Sequence, residues 1–292
     1  MKHWIRGLMA FFVLFAFVLP TSVFADAGPG DVIVTLGQDL TNAQEDQVLN
    51  EMNVNKEDAT VIYVTNEEEH QYLGDYISDA QIGTNAISST KITLRGEGEG
   101  LNVNTHNITW VTEGMYANAL MTAGIHNADI FVTAPFPVSG TAGLTGILKA
   151  YDEKTSFHIS EDRKKVANEE LVRTAQLGQD IGKDKATELV TKIKQEMADH
   201  PVKSKEDMQK LIQQAADDVN VNLTEKQMNQ LVTLFEHIKN LNIDWGQVKS
   251  QLKQVSQQLN HFLSDEDTQS FFSKVLHAIG DLIDQLKSWI SS

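Results

Sequence analysis

Hydrophobic and polar residues follow two different patterns along this chain, and the change comes near residue 155. Residues 26–155 contain short runs of β-branched and aliphatic residues, each followed by a stretch in which apolar residues recur every three or four positions. The first pattern is typical of buried strands and the second of amphipathic helices. Strands that alternate with helices predict a mixed or largely parallel sheet that is covered by helices.

Residues 26–155 are predicted to contain five strands. Thr41 and Thr65 are each followed three positions later by Gln or Glu, which is typical of a capping box at the start of a helix. The glycine-rich segment 95–100 lies between two β-branched runs and predicts a hairpin that joins the third and fourth strands. The predicted strands cover residues 32–36, 60–64, 88–94, 101–111 and 129–133.

Beyond residue 156 the strand pattern disappears, and apolar residues keep helical spacing to the C-terminus. The last stretch has an apolar stripe from Phe272 to Ile290, which we assign to a helix in a bundle core; a membrane surface or a partner is the alternative. Breaks that predict five or six helices fall at 178–179, 200–201, 220–223, 242–243 and 264–265. We therefore predict an α+β or α/β domain with a mixed sheet over residues 26–155, followed by an all-α helical bundle domain over residues 156–292.

The N-terminal segment, residues 1–25, has the pattern of a secretory signal peptide. Lys2 and Arg6 precede an apolar run from Leu8 to Leu19, and small residues lead to a cleavage site after Ala25. A retained anchor is the alternative, but this run is shorter than the ~20 residues that span a bilayer. No later stretch is apolar enough to span a membrane, so we expect a secreted, extracytoplasmic protein, either released or held at the cell wall.

Composition and charge narrow the classes of partner. The chain has 40 acidic and 24 basic residues, for a net charge of −16, which argues against nucleic acid as a partner. Residues 26–155 hold 19 acidic and 5 basic residues, so their net charge of −14 favours cations, basic proteins or neutral surfaces. The absence of cysteine excludes disulfides, thiolate zinc sites and a cysteine nucleophile.

Several motifs, dense between residues 35 and 152, together resemble a known family. The shared segments are GQDLT at 37–41, VTNEEE at 64–69, QIGT at 81–84, NITWVT at 107–112, YANAL at 116–120, TAGI at 122–125 and APFPVSGT at 134–141. The chain resembles the YpuA-like family of secreted proteins from Gram-positive bacteria, whose function is unknown. The resemblance implies an exported bacterial protein, and it brings no substrate, cofactor or catalytic residue.

The best local candidate for a binding site is the turn formed by Ser139, Gly140 and Thr141. This turn lies between a buried strand and a helix, where free backbone N–H groups and two hydroxyls can hold an anionic or carbonyl group, and where glycine permits close approach. The alternative is that Ser139 caps the helix, while Gly143 and Gly146 allow the helix to pack closely on the sheet.

Catalytic alternatives rest on weaker patterns. Ser139 has Pro137 and Thr141 where a nucleophile elbow has glycines, although His106, His126 and His158 lie in the same half. Glu97 and Glu99 in the glycine-rich segment can form a general acid/base pair or an open cation site. The alternative is that they lie on a solvated loop and have no such role.

The sequence has no cofactor fingerprint, catalytic triad signature or metal-ligand spacing. We therefore expect a non-catalytic binding or interaction module of the bacterial cell envelope that binds an envelope protein or polymer. An extracytoplasmic hydrolase that acts on an envelope component, and a receptor for a small anion or cation, remain the alternatives.

Overall fold

A computed structural model of the chain describes residues 26–252. The predicted signal peptide, its expected cleavage site after Ala25 and the apolar stripe at 272–290 lie outside the described residues. The first half contains β1 (Val32–Gly37), α1 (Asn42–Glu51), β2 (Thr60–Val64), α2 (Asn66–Leu73), α3 (Asp79–Ile82), β3 (Ser89–Leu94), β4 (Leu101–Ile108), α4 (Glu113–Ala123), β5 (Ala128–Val138) and α5 (Thr141–Lys154). The second half contains α6 (Glu161–Ile181), α7 (Lys183–Asp199), α8 (Lys205–Asp218) and α9 (Glu225–Asn240), and residues 245–252 are also helical.

The five strands form one mixed sheet with the order β2-β1-β3-β5-β4. β1 is parallel to β2 and β4 is parallel to β5, whereas β3 is antiparallel to both of its neighbours. Four strands therefore run in one direction, and their carboxyl ends share one edge of the sheet, at which β3 begins. This architecture, followed by a helical region, confirms the predicted fold class.

The prediction of a hairpin between β3 and β4 is wrong, because β5 lies between these two strands. Leu94 at the end of β3 and Leu101 at the start of β4 are both opposite Ala128 of β5. Ile130 and Val132 of β5 are fully buried, so this apolar strand takes an interior position with a partner on each side. The segment 95–100 consequently connects two strands that flank a third.

Helices cover both faces of the sheet. Alternate residues of each strand point to opposite sides, so apolar strand residues on both faces pack against helices. Val34 and Leu36 of β1 pack against α1 in one apolar cluster, and Ile33 belongs to the cluster that includes α4 and α5. The structure confirms both predicted capping boxes: the side chains of Thr41 and Thr65 accept hydrogen bonds from backbone N–H groups of α1 and α2.

The helices of the second half form their own apolar cluster and also pack on the first half. Leu189, Ile212 and Phe235 lie in this second cluster, whereas Leu171 of α6 belongs to the cluster under the sheet. The break expected at residues 178–179 is wrong, since α6 continues to Ile181 and ends at Gly182. Gly182 has a φ of +94°, a value that favours glycine and does not continue a right-handed helix. The boundary near residue 155 stays a prediction.

Buried hydrogen bonds around an ion pair of the second half connect it to the first half. Lys194 of α7 lies 2.6 Å from a carboxylate oxygen of Glu170 on α6, and both residues are at most 1% exposed. The Lys194 ammonium also donates to the backbone carbonyl of Asn118 and to the hydroxyl of Thr122, both on α4. Thr122 in turn donates to Glu170 at 2.5 Å. This network fixes the orientation of α6 and α7 on α4.

Candidate functional site

A cleft lined by both polar and apolar residues lies at the edge of the sheet where four strands end. It has a volume of about 220 Å³ and lies between α2, the loop that precedes β3 and the start of α5. In sheets whose strands run in the same direction, ligands bind outside the carboxyl ends of the strands. The described residues that line the cleft are Glu69, Ile82, Gly83, Thr84, Asn85, Ile87, Ser88, Val138, Ser139, Thr141 and Ala142.

The turn between β5 and α5 places Ser139 and Thr141 in the cleft. The hydroxyl oxygens of these two residues lie 3.1 Å apart. The interpretation of Ser139 as the helix cap is wrong, because Gly140 is the N-cap residue and no side chain caps this helix. The structure therefore brings Ser139 and Thr141 together at the cleft without a capping role for the serine hydroxyl.

Gly140 is glycine for reasons internal to the fold. Its φ of +100° disfavours any residue with a Cβ, and such an atom would lie 2.5 Å from the Ile108 side chain. The buried hydroxyl of Tyr116 donates a hydrogen bond to the Gly140 carbonyl. The expected role of Gly140 in close approach to a ligand stays a prediction.

The prediction that Gly143 and Gly146 allow close packing of the helix is confirmed. A Cβ at Gly143 would lie 2.7 Å from the Tyr116 hydroxyl, and one at Gly146 would lie 2.6 Å from the Thr35 hydroxyl. These two glycines therefore let α5 lie directly on the sheet, and this position brings Thr141 to the cleft.

Glu69 supplies the carboxyl group of the cleft. It lies in the first turn of α2, and its residue is 1% exposed. The amide of Asn66 donates to its Oε2 at 3.4 Å, and the hydroxyl of Thr141 is a second hydrogen-bond partner. Burial raises the pKa of Glu69 from its ordinary value of 4.5 to about 7, although both hydrogen bonds oppose the shift. Near neutral pH this carboxyl exchanges between its protonated and ionised forms.

The sequence alone does not single out Glu69. The acidic run 67–69 is typical of a helix start whose charges complement the helix dipole. The structure separates the roles of these residues: Glu67 is exposed, Glu68 completes the capping box with Thr65, and Glu69 points inward. The signal that could have found it is spacing, because Glu69 precedes the fully buried Leu73 by four positions and shares its helix face.

The other catalytic candidates lie elsewhere. None of the three candidate histidines is among the described residues that line the cleft. His106 pairs with Glu51, His126 bonds to Gln251 at 2.7 Å, and His158 lies 3.1 Å from Asp152. None of these three histidines is therefore placed to act as a base for Ser139.

Glu97 and Glu99 lie on the exposed segment between β3 and β4. The Glu99 carboxylate accepts a hydrogen bond from the backbone N–H of Gly96 at 3.0 Å. Across residues 26–252, no three His, Asp or Glu side chains come together in a group that could hold a metal ion. In the same part of the chain, no helix has both the length and the apolar character required to cross a membrane.

The cleft therefore combines a buried carboxyl, four hydroxyl side chains, one amide and a short apolar wall. The carboxyl can accept hydrogen bonds when it is ionised and can donate one when it is protonated. Such an arrangement suits recognition of a small polar group, and it also suits proton transfer near neutral pH.

Comparisons with known proteins assign the family. The model of a family described as "Protein of unknown function (DUF1002)" matches residues 36–255. A relative from Bacillus subtilis (strain 168), described as "Uncharacterized protein YpuA", is 52% identical over 276 residues, which are 94% of each chain. No solved structure matches the chain. The match covers most of the sequence and includes all the described residues of the cleft, so the chain belongs to the DUF1002 family of proteins of unknown function.

Proposed function

We propose that this chain is an exported, non-catalytic binding module of the bacterial cell envelope, and that the cleft is its ligand site. The observation that carries this proposal is the convergence of Glu69 from α2 with Ser139 and Thr141 from the start of α5. A buried carboxyl with no cationic partner lowers the stability of a fold, so such groups concentrate at sites of binding or catalysis. The proposal of export rests on the signal pattern of residues 1–25.

The size of the cleft limits what it can hold. Sites for whole small molecules have volumes of about 300–1,000 Å³, and this cleft has about 220 Å³. It therefore suits one chemical group of a larger molecule, such as a side chain of an envelope protein or a substituent of an envelope polymer. Such a contact holds the chain at the envelope without enclosing the partner.

Occlusion of the cleft tests this proposal. Asn85 is an exposed lining residue, so Asn85→Trp should fill the mouth of the cleft and leave the fold intact. Asn104→Trp is the matched control, because Asn104 is exposed on the edge strand β4 and does not line the cleft. We expect envelope fractions to retain the parent and Asn104→Trp and to release Asn85→Trp. Equal retention of all three folded proteins would contradict the proposal.

A hydrolase that acts on an envelope component is the second candidate, and the pKa of Glu69 favours it. A carboxyl whose pKa is about 7 can transfer protons at neutral pH, as a general acid or base requires. Glu69→Gln separates the two functions when envelope preparations are assayed for released fragments. Release by the parent that is lost in Glu69→Gln, while envelope retention persists, would favour the hydrolase over the binding module.

A further inference from the structure

Glu69 has hydrogen-bond partners but no counterion. Its partners are the neutral amide of Asn66 and the neutral hydroxyl of Thr141. No lysine or arginine is among the described residues that line the cleft. A buried carboxylate with neutral partners alone is incompletely stabilised, so its site favours a ligand that brings positive charge.

The charged groups around Glu69 do not provide the missing counterion. On its own helix, the adjacent His70 attracts a charge on Glu69, but its ring is bonded to the Gly83 carbonyl and lies 3.3 Å from a carboxylate oxygen of Asp79. After β1, the carboxylate of Asp39 accepts from the backbone N–H of Ala86 at 2.7 Å and repels a charge on Glu69.

The titratable group of α4 near Glu69 is the buried phenol of Tyr116. Burial holds the pKa of this phenol far above its ordinary value, so Tyr116 stays neutral. α5 presents Thr141, which carries no charge. Apart from the engaged imidazole of His70, the surroundings of Glu69 are therefore neutral or negative.

Two other classes of ligand fit this cleft poorly. An anion at the start of α5 would meet the carboxyl groups of Glu69 and Asp39, which oppose the attraction of the helix N-terminus. A divalent metal ion in a protein is usually held by more than one carboxylate, whereas Glu69 is the single carboxyl among the described lining residues.

An alkylammonium group fits both the polar and the apolar parts of the cleft. Its three N–H donors match the carboxylate of Glu69 and hydroxyl oxygens such as those of Ser88 and Ser139. Ile82 and Ile87 line the same cleft and can contact an aliphatic stem.

We propose that the cleft binds the primary ammonium group of an aliphatic amine, which pairs with the carboxylate of Glu69. This inference rests on the proposed function in taking the cleft as the ligand site. It names the ligand class as a primary amine carried on an alkyl chain.

Butylammonium chloride is the probe, and sodium butyrate and 1-butanol are controls of the same chain length. Calorimetric titration of the purified chain at about pH 8, where Glu69 is mostly ionised, should show saturable binding of butylammonium and none of the controls. Glu69→Gln should weaken binding about tenfold or more. Glu67→Gln, an exposed glutamate on the same helix, should bind like the parent.

The parent protein also reports on the role of Glu69 without any substitution. Ammonium binding requires the ionised carboxylate, so affinity should fall about tenfold for each pH unit below about 7. One proton should be released for each amine bound near pH 6, which the dependence of the binding heat on buffer ionisation measures.

Binding of butyrate in preference to butylammonium, or amine binding that is insensitive to both Glu69→Gln and pH, would overturn the inference. Saturable binding of calcium without binding of butylammonium would also overturn the inference. Failure of this inference differs from failure of the proposed function. If Asn85→Trp abolishes envelope retention while butylammonium does not bind, the cleft is the ligand site and the ammonium assignment is wrong.

Discussion

Replacement of Glu69 by glutamine should stabilise the folded protein, and the gain should depend on pH. The amide keeps the shape of the carboxyl and removes its charge. The parent has a folded-state pKa of about 7 for Glu69, compared with 4.5 as the ordinary value. Because the folded-state pKa is raised, the parent has its full stability below about pH 4.5 and loses stability as the pH rises toward 7.

The size of the effect follows from the shift in the pKa. Each unit corresponds to about 1.4 kcal/mol, so ionised Glu69 destabilises the fold by about 3 kcal/mol above pH 7. Part of this penalty is already present at pH 5. The difference in unfolding free energy between Glu69→Gln and the parent should therefore grow by about 2–3 kcal/mol from pH 5 to pH 8.

Urea unfolding at both pH values measures this change. Glu67→Gln serves as the control, because Glu67 is exposed on the same helix and its replacement should give a difference that is nearly independent of pH. A difference for Glu69→Gln that stays constant from pH 5 to pH 8, or that favours the parent at pH 8, would refute the argument that burial keeps this carboxyl partly protonated.

Three further changes probe the packing around the site and between the halves. Lys194→Met leaves Glu170 buried without its counter-charge, so urea unfolding should show a loss of about 3–5 kcal/mol, and Glu170→Leu in the same chain should restore part of it. Gly140→Ala forces a Cβ into left-handed backbone and should lower the unfolding free energy by about 1–3 kcal/mol, with a loss near zero contradicting the packing argument. Thr141→Val removes a donor to Glu69, so an NMR titration should show a higher pKa for that carboxyl; an unchanged pKa would exclude this hydrogen bond.

Local signals predicted the individual elements well. Thr41 and Thr65 begin their helices as the spacing of their capping partners indicates, because a capping box involves residues only three positions apart. The predicted strand at 60–64 has the observed bounds for the same reason: apolar β-branched residues and the turn signals beside them lie within a few positions of one another.

Strand order could not be read from the sequence. Residues 95–100 have the composition of a hairpin loop, yet β5 separates the two strands that they connect. The choice of neighbour depends on which strand completes the buried centre of the sheet. Ile130 and Val132, far along the chain from β3, decide that choice through tertiary packing.

The candidate site was predicted in part. Ser139 and Thr141 follow a buried strand directly, so their position at the edge of the sheet was accessible from the sequence. Glu69 comes from another helix, and its approach to Thr141 depends on the packing of α2 beside α5. A helix-start acid that faces the core has the same local sequence as one that faces solvent, and only the spacing to Leu73 separates the two.

Site-specific photo-crosslinking identifies the surface through which the protein contacts the envelope. A photoreactive amino acid at position 85 lies at the mouth of the cleft, and one at position 104 lies on the exposed edge strand. After irradiation with envelope fractions, we expect a covalent adduct from position 85 that excess butylammonium suppresses, and no adduct from position 104. An adduct from position 104 alone would contradict the claim that this protein binds the envelope through the cleft.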